Sequence, residues 1–102
     1  MYITNAFSLN MLDLTDSLVI GLEPLTPAEV ASMPLVSAIG HADTARVVGG
    51  LLGVELPVNR ATISLRQGDV IVVAQYRGPR LPEGATVLPD GAVIEFVEVK
   101  VL

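Results

Sequence analysis

Along this chain, apolar and polar positions change rhythm several times, and each change predicts an element. Residues 1–4 read as a short first strand. Asn5-Ala-Phe-Ser-Leu-Asn10 follows, studded with the short polar side chains that favour turns. Residues 17–22, Ser-Leu-Val-Ile-Gly-Leu, predict a second strand. Thr26-Pro-Ala-Glu29 has the form of a capping box: Thr26 can accept from the backbone of Glu29, Glu29 can reach back, and Pro27 suits the first helical position. Pro34 ends that short helix, and residues 35–39 predict a third strand. From His41 to Leu52 the period lengthens. Ala42, Ala45, Val48, Leu51 and Leu52 fall near one helical face, and Gly53 is placed to close it. The pair Gly49-Gly50 weakens this helix by roughly 1 kcal/mol per glycine, which suggests a close backbone approach there. Residues 60–65 and 69–76 predict a hairpin through Arg66-Gln-Gly-Asp69. The stretch 76–85, with two prolines and two glycines, predicts irregular structure. Residues 92–101 alternate as a last strand, blurred by Val93 and Glu95. The outcome is an α+β fold with about five or six strands and two helices.

Length and composition narrow the picture. The 102 residues amount to one domain, taken as 1–102, with 51% hydrophobic and 17% charged residues, which excludes a disordered chain. Apolar runs are too short and broken to span a membrane, and the start lacks the basic and apolar regions of a secretion signal. A cytoplasmic location is expected. With no cysteine, disulfides and thiolate metal sites are excluded. The net charge of -5, from 6 basic and 11 acidic residues, argues against binding long DNA or RNA. A cleft holding a few arginines could still take a small anion. So apolar a small chain is expected to expose apolar surface, for which a homodimer interface is the usual outlet.

His41 is the single histidine, at the start of the long helix. It is either a surface or capping side chain, or a general acid or base beside a phosphate held at the helix end. A bound phosphodiester would favour imidazolium, the form a general acid needs. Metal chemistry finds no support: there is no second histidine, Asp43 sits two residues on, and no ligand spacing emerges. Nor does any serine lie in a Gly-x-Ser-x-Gly turn. No cofactor is expected. Arg80 and Glu83 share a rigid loop that reads equally as an ordered surface turn or as a clamp, with Arg80 the planar fork for phosphate or a base. Arg60 and Gln75 are either solvated strand residues or contacts to a ligand, the Gln75 amide being suited to a base edge.

Five ordered blocks together resemble one family. They are Asn5-Ala-Phe-Ser-Leu-Asn-Met-Leu12, Ser37-Ala-Ile-Gly-His-Ala-Asp-Thr-Ala45, Pro57-Val-Asn-Arg60, Gly68-Asp-Val-Ile-Val-Val-Ala-Gln-Tyr76 and Gly78-Pro-Arg-Leu-Pro-Glu-Gly-Ala-Thr86. The chain is similar to the type III anti-CRISPR ring nucleases of archaeal viruses, phages and bacterial CRISPR loci. Residues 13–34 carry none of the motifs.

The resemblance implies a mixed sheet of about five strands with helices packed on one face, in a homodimer. It implies a ligand, cyclic tetra-adenylate, lying across the dimer interface. It also implies metal-independent cleavage of that ring to linear di-adenylate ending in 2′,3′-cyclic phosphate, which switches off type III CRISPR effectors. The implied catalytic residues are His41, Arg80 and Glu83. Those implied to contact the ligand are Asn5, Ser8, Asn10, Thr44, Arg60 and Gln75. The competing expectation is a module that binds the nucleotide without cutting it.

Overall fold

The run Val-Ile-Val-Val-Ala at 70–74 is apolar at every position, the signature of a strand covered on both faces. In the computed structural model, which describes residues 1–102, it lies at the centre of a single sheet. The elements in chain order are β1 (Tyr2–Thr4), a 3-10 turn (Leu9–Met11), β2 (Ile20–Leu25), α1 (Pro27–Ala31), β3 (Val36–Ser37), α2 (Ala42–Leu52), β4 (Val70–Arg77) and β5 (Val93–Val101). Across the sheet the strands run β2-β5-β4-β1-β3. β1 is parallel to both its neighbours, β3 and β4, while β4, β5 and β2 are antiparallel. The α+β class, the mixed five-stranded sheet and the helices on one face are as expected.

Alternation divides the sheet residues between two cores. On the helical face Ile3, Val72, Ala74 and Phe96 pack with Val30 of α1 and with Ala45, Val48 and Leu52 of α2. The opposite face brings Ile71, Val73, Val99 and Val101 against Ala38, Ile63 and Leu65. Phe7, Met11, Leu12 and Leu18 pack at its margin. The blurred pattern of β5 now has a reason. Its first half turns Ile94 and Phe96 to the helices, and its second half turns Val97, Val99 and Val101 to the other core.

The hairpin expected from 60–65 and 69–76 does not form. A strand has two edges, and those of β4 are taken by β1 and β5. Residues 60–65 still alternate, burying Ile63 and Leu65 and exposing Thr62 and Ser64, but they cover the sheet face instead of extending it. Their one ladder contact is a parallel bridge between Leu65 and Leu12, with the Leu65 N–H donating to the Met11 carbonyl at 2.6 Å. The turn after them does form: the Arg66 N–H donates to Asp69 Oδ2 at 2.8 Å, and the Asp69 N–H to the Arg66 carbonyl at 2.9 Å.

β2 lies three residues later than the pattern of 17–22 suggested and takes in Pro24. That proline, which cannot donate to a ladder, is tolerated because β2 is an edge strand. β3 is shorter than 35–39 because its only partner is the three-residue β1. Within α2 the buried face comprises Ala45, Val48, Gly49 and Leu52, with Val47 also buried, while Leu51 is exposed rather than inward. Gly53 closes the helix in the left-handed conformation (φ 69°), as expected. The close approach expected at the glycine pair is made by Gly49. A Cβ there would stand 2.7 Å from the Val54 carbonyl oxygen, because the chain doubles back across the helix end.

Candidate functional site

Parallel strands end at the same edge of a sheet, and ligands of α/β sheets bind outside those carboxyl ends. Here β1, β3 and β4 are parallel, so the residues that follow them converge. Asn5 follows β1, Gly40 and His41 come shortly after β3, and Gln75 lies near the end of β4. The loop 78–92, which joins β4 to β5, rises from the same edge. An irregular loop longer than about 12–15 residues in so small a domain is usually functional. Its two ends are pinched together: a Cβ on Gly78, at φ 133°, would lie 2.7 Å from the Ala92 Cα.

His41 is the N-cap of α2, in extended conformation, and its side chain makes no capping bond. The first helical bond runs from the Ala45 N–H to the His41 carbonyl at 3.0 Å. The N–H groups of Ala42, Asp43 and Thr44 therefore have no helical acceptor, and they carry the positive end of the helix dipole. Arg60 reaches the same place from the far side. Asn59 docks on the chain leaving β3, its N–H donating to the Ile39 carbonyl at 2.9 Å and its amide to the Ser37 carbonyl at 2.7 Å. Arg60 then lies over Gly40 and donates from Nε to the Gly40 carbonyl at 3.1 Å. A Cβ on Gly40 would stand 3.0 Å from Arg60 Cγ, so the glycine leaves room for the arginine.

One cleft unites the start of α2 with the loop. It is lined by His41, Ala42 and Asp43 on one side and by Arg80, Leu81, Pro82 and Glu83 on the other. The three residues expected to be catalytic thus line one cleft. Arg80 and Glu83 are both exposed and form no ion pair with each other. The loop is held instead by Asp43, whose Oδ2 accepts from the Gly84 N–H at 2.8 Å. Arg46 stands beside it, 3.4 Å from Asp43 Oδ1, and donates to the Ala85 carbonyl at 3.5 Å.

The remaining expected contacts do not line this cleft. Thr44 is half-buried in the first turn of α2. Ser8 caps the 3-10 turn, its Oγ accepting from the Asn10 N–H at 3.2 Å. Asn10 itself is exposed, and so is Gln75, whose amide donates to the Tyr76 carbonyl at 3.1 Å. The sequence offers Asp43 only as a metal-ligand candidate and gives no role to Asn59 or Arg46. Their roles depend on contacts between residues far apart in the chain, which spacing does not reveal.

An exposed imidazole, free helix N–H groups and a free guanidinium around one opening suit an anionic ligand. No helix of the chain is long and apolar enough to cross a membrane. Among solved structures, B116 of Sulfolobus turreted icosahedral virus (STIV) is similar, with 31% identity and a TM-score of 0.77 over 97% of this chain and 97% of that one. No curated protein matches. The model of the STIV B116-like family matches residues 1–95, and the chain belongs to that family.

Proposed function

We propose that this protein is a ring nuclease. In this reading it binds cyclic tetra-adenylate at a homodimer interface and cleaves it without a metal to linear di-adenylate with a 2′,3′-cyclic phosphate. By removing that messenger it switches off type III CRISPR effectors. The observation that carries the reading is the shared cleft of His41, Arg80 and Glu83 at an uncapped helix start. The ordered motif blocks described above support the choice of substrate.

RNA supplies its own nucleophile, so no metal-activated water is needed. The ribose 2′-oxygen forms a bond to phosphorus and gives up its proton to solvent water, while the bond from phosphorus to the 5′-oxygen breaks. His41, as imidazolium, gives a proton to the departing 5′-oxygen, a role worth about 10²–10⁴-fold. Arg80 and the N–H groups of the first turn of α2 stabilise charge on the phosphoryl oxygens. Glu83 accepts from a ribose hydroxyl and so orients the sugar. In a dimer, two such sites cut the ring at opposite linkages. Asn5, Ser8, Asn10, Thr44, Arg60 and Gln75 hold the rest of the ring.

The test is incubation of the pure protein with cyclic tetra-adenylate in EDTA, beside His41→Ala, with products resolved by chromatography. Di-adenylate from the wild type alone is expected. Tight binding with an intact ring in both would make the protein a nucleotide sponge, and no binding would remove the reading altogether.

A further inference from the structure

The loop that carries Arg80 and Glu83 belongs to the β4–β5 connection, whereas His41 belongs to α2. Nothing covalent sets the distance between the two walls of the cleft. Their link is polar and lies on one stripe of the helix, because residues three and seven apart share a face. Asp43 holds Gly84, Arg46 reaches Ala85, and the Thr86 carbonyl lies 3.9 Å from where a Cβ on Gly50 would stand. Successive loop residues thus track down α2. Asp43 is the anchor of this track. Its side chain is 13% exposed, against 50% for Arg46, and both its oxygens are engaged.

We infer that Asp43 is a positioning residue: with Arg46 it fixes residues 80–85 against the first turn of α2 and so sets where Arg80 and Glu83 stand relative to His41. The inference rests on the proposed cleavage for what that spacing achieves. Each carboxylate oxygen already has a partner within the protein, and the negative charge suits the helix start without closing it. A shift of about 1 Å between reacting groups can cost on the order of a hundredfold in rate.

The experiment pairs two readouts on Asp43→Ala and Asp43→Asn. Asparagine keeps one oxygen to accept from Gly84. Amide exchange at Gly84, followed by NMR without any ligand, is expected to quicken in Asp43→Ala and to stay near wild type in Asp43→Asn, with β4 and β5 unchanged. Cleavage of cyclic tetra-adenylate is expected to fall about ten- to a hundredfold in Asp43→Ala and by no more than roughly threefold in Asp43→Asn. In a chain already carrying Arg80→Ala and Glu83→Ala, Asp43→Ala should add little, since it acts through those residues. Unchanged Gly84 exchange in Asp43→Ala overturns the inference, as does a loss that adds in full to the double variant. A wild type inert toward the ring would defeat the proposed cleavage, while quickened exchange would still establish the anchor.

Discussion

The two helices begin in opposite ways. α1 closes its own start: the Thr26 Oγ1 accepts from the Glu29 N–H at 3.1 Å, Glu29 Oε1 accepts from the Thr26 N–H at 3.0 Å, and Pro27 has no N–H to satisfy. α2 starts at His41 with no side-chain cap, and its one early carboxylate, Asp43, turns away to hold Gly84. The first start is capped from within four residues. The second is left open and walled by a loop from the other end of the chain. A capped start serves stability, whereas an open start with a cation opposite it is suited to an anion.

The largest effect is expected at His41. His41→Ala is expected to lower single-turnover cleavage by about 10²–10⁴-fold, while Kd for the ring and urea stability stay near wild type. Surviving cleavage would remove His41 from the chemistry. Arg80→Ala should weaken binding and cleavage together, the rate falling about 10²–10³-fold, with a flatter salt dependence of binding; a change confined to kcat would contradict that role.

Stability separates the far end of α2 from its start. Gly49→Ala adds a methyl against the Val54 carbonyl. It should destabilise the fold by about 1–3 kcal/mol in urea titrations, more than the roughly 1 kcal/mol that alanine returns in helix propensity. A more stable variant would show that the chain can bend away at no cost. Thr26→Ala should cost about 0.5–2 kcal/mol and leave cleavage untouched, the mirror image of His41→Ala.

The smallest effect is one of pH. The Thr26 backbone N–H, and then the Thr26 hydroxyl, hold the Glu29 carboxyl below the usual glutamate range. A group so lowered contributes its stability in full above that range and loses it as pH falls through the folded value. Acid should therefore weaken the start of α1 as the Glu29 carboxyl takes up its proton. Glu29→Gln, which does not titrate, should flatten this part of the stability profile; an unchanged profile would place the acid sensitivity elsewhere.

Local chemistry wrote much of this molecule into the sequence. The capping box at Thr26, the helix from His41 to Gly53, the central strand at 70–77 and the rigid turn-rich loop each depend on neighbours a few residues apart, where propensity and periodicity act. His41, Arg80 and Glu83 could be singled out by type and motif for the same reason. What lay beyond reach was decided by competition for partners. Residues 60–65 have the alternation of a strand, yet β1 and β5 hold both edges of β4, so that segment became a cover over the second core. Pro24 entered a strand because its edge position leaves its missing N–H unneeded. Asp43 met Gly84, and Arg60 met Gly40, only because the parallel arrangement of β1, β3 and β4 brings their ends to one edge. A hydrogen bond across 41 residues has no signature in spacing, since nothing local fixes which distant N–H a carboxylate will find. Local patterning thus marked most of the elements and the candidate side chains, while long-range pairing set which of them face one another.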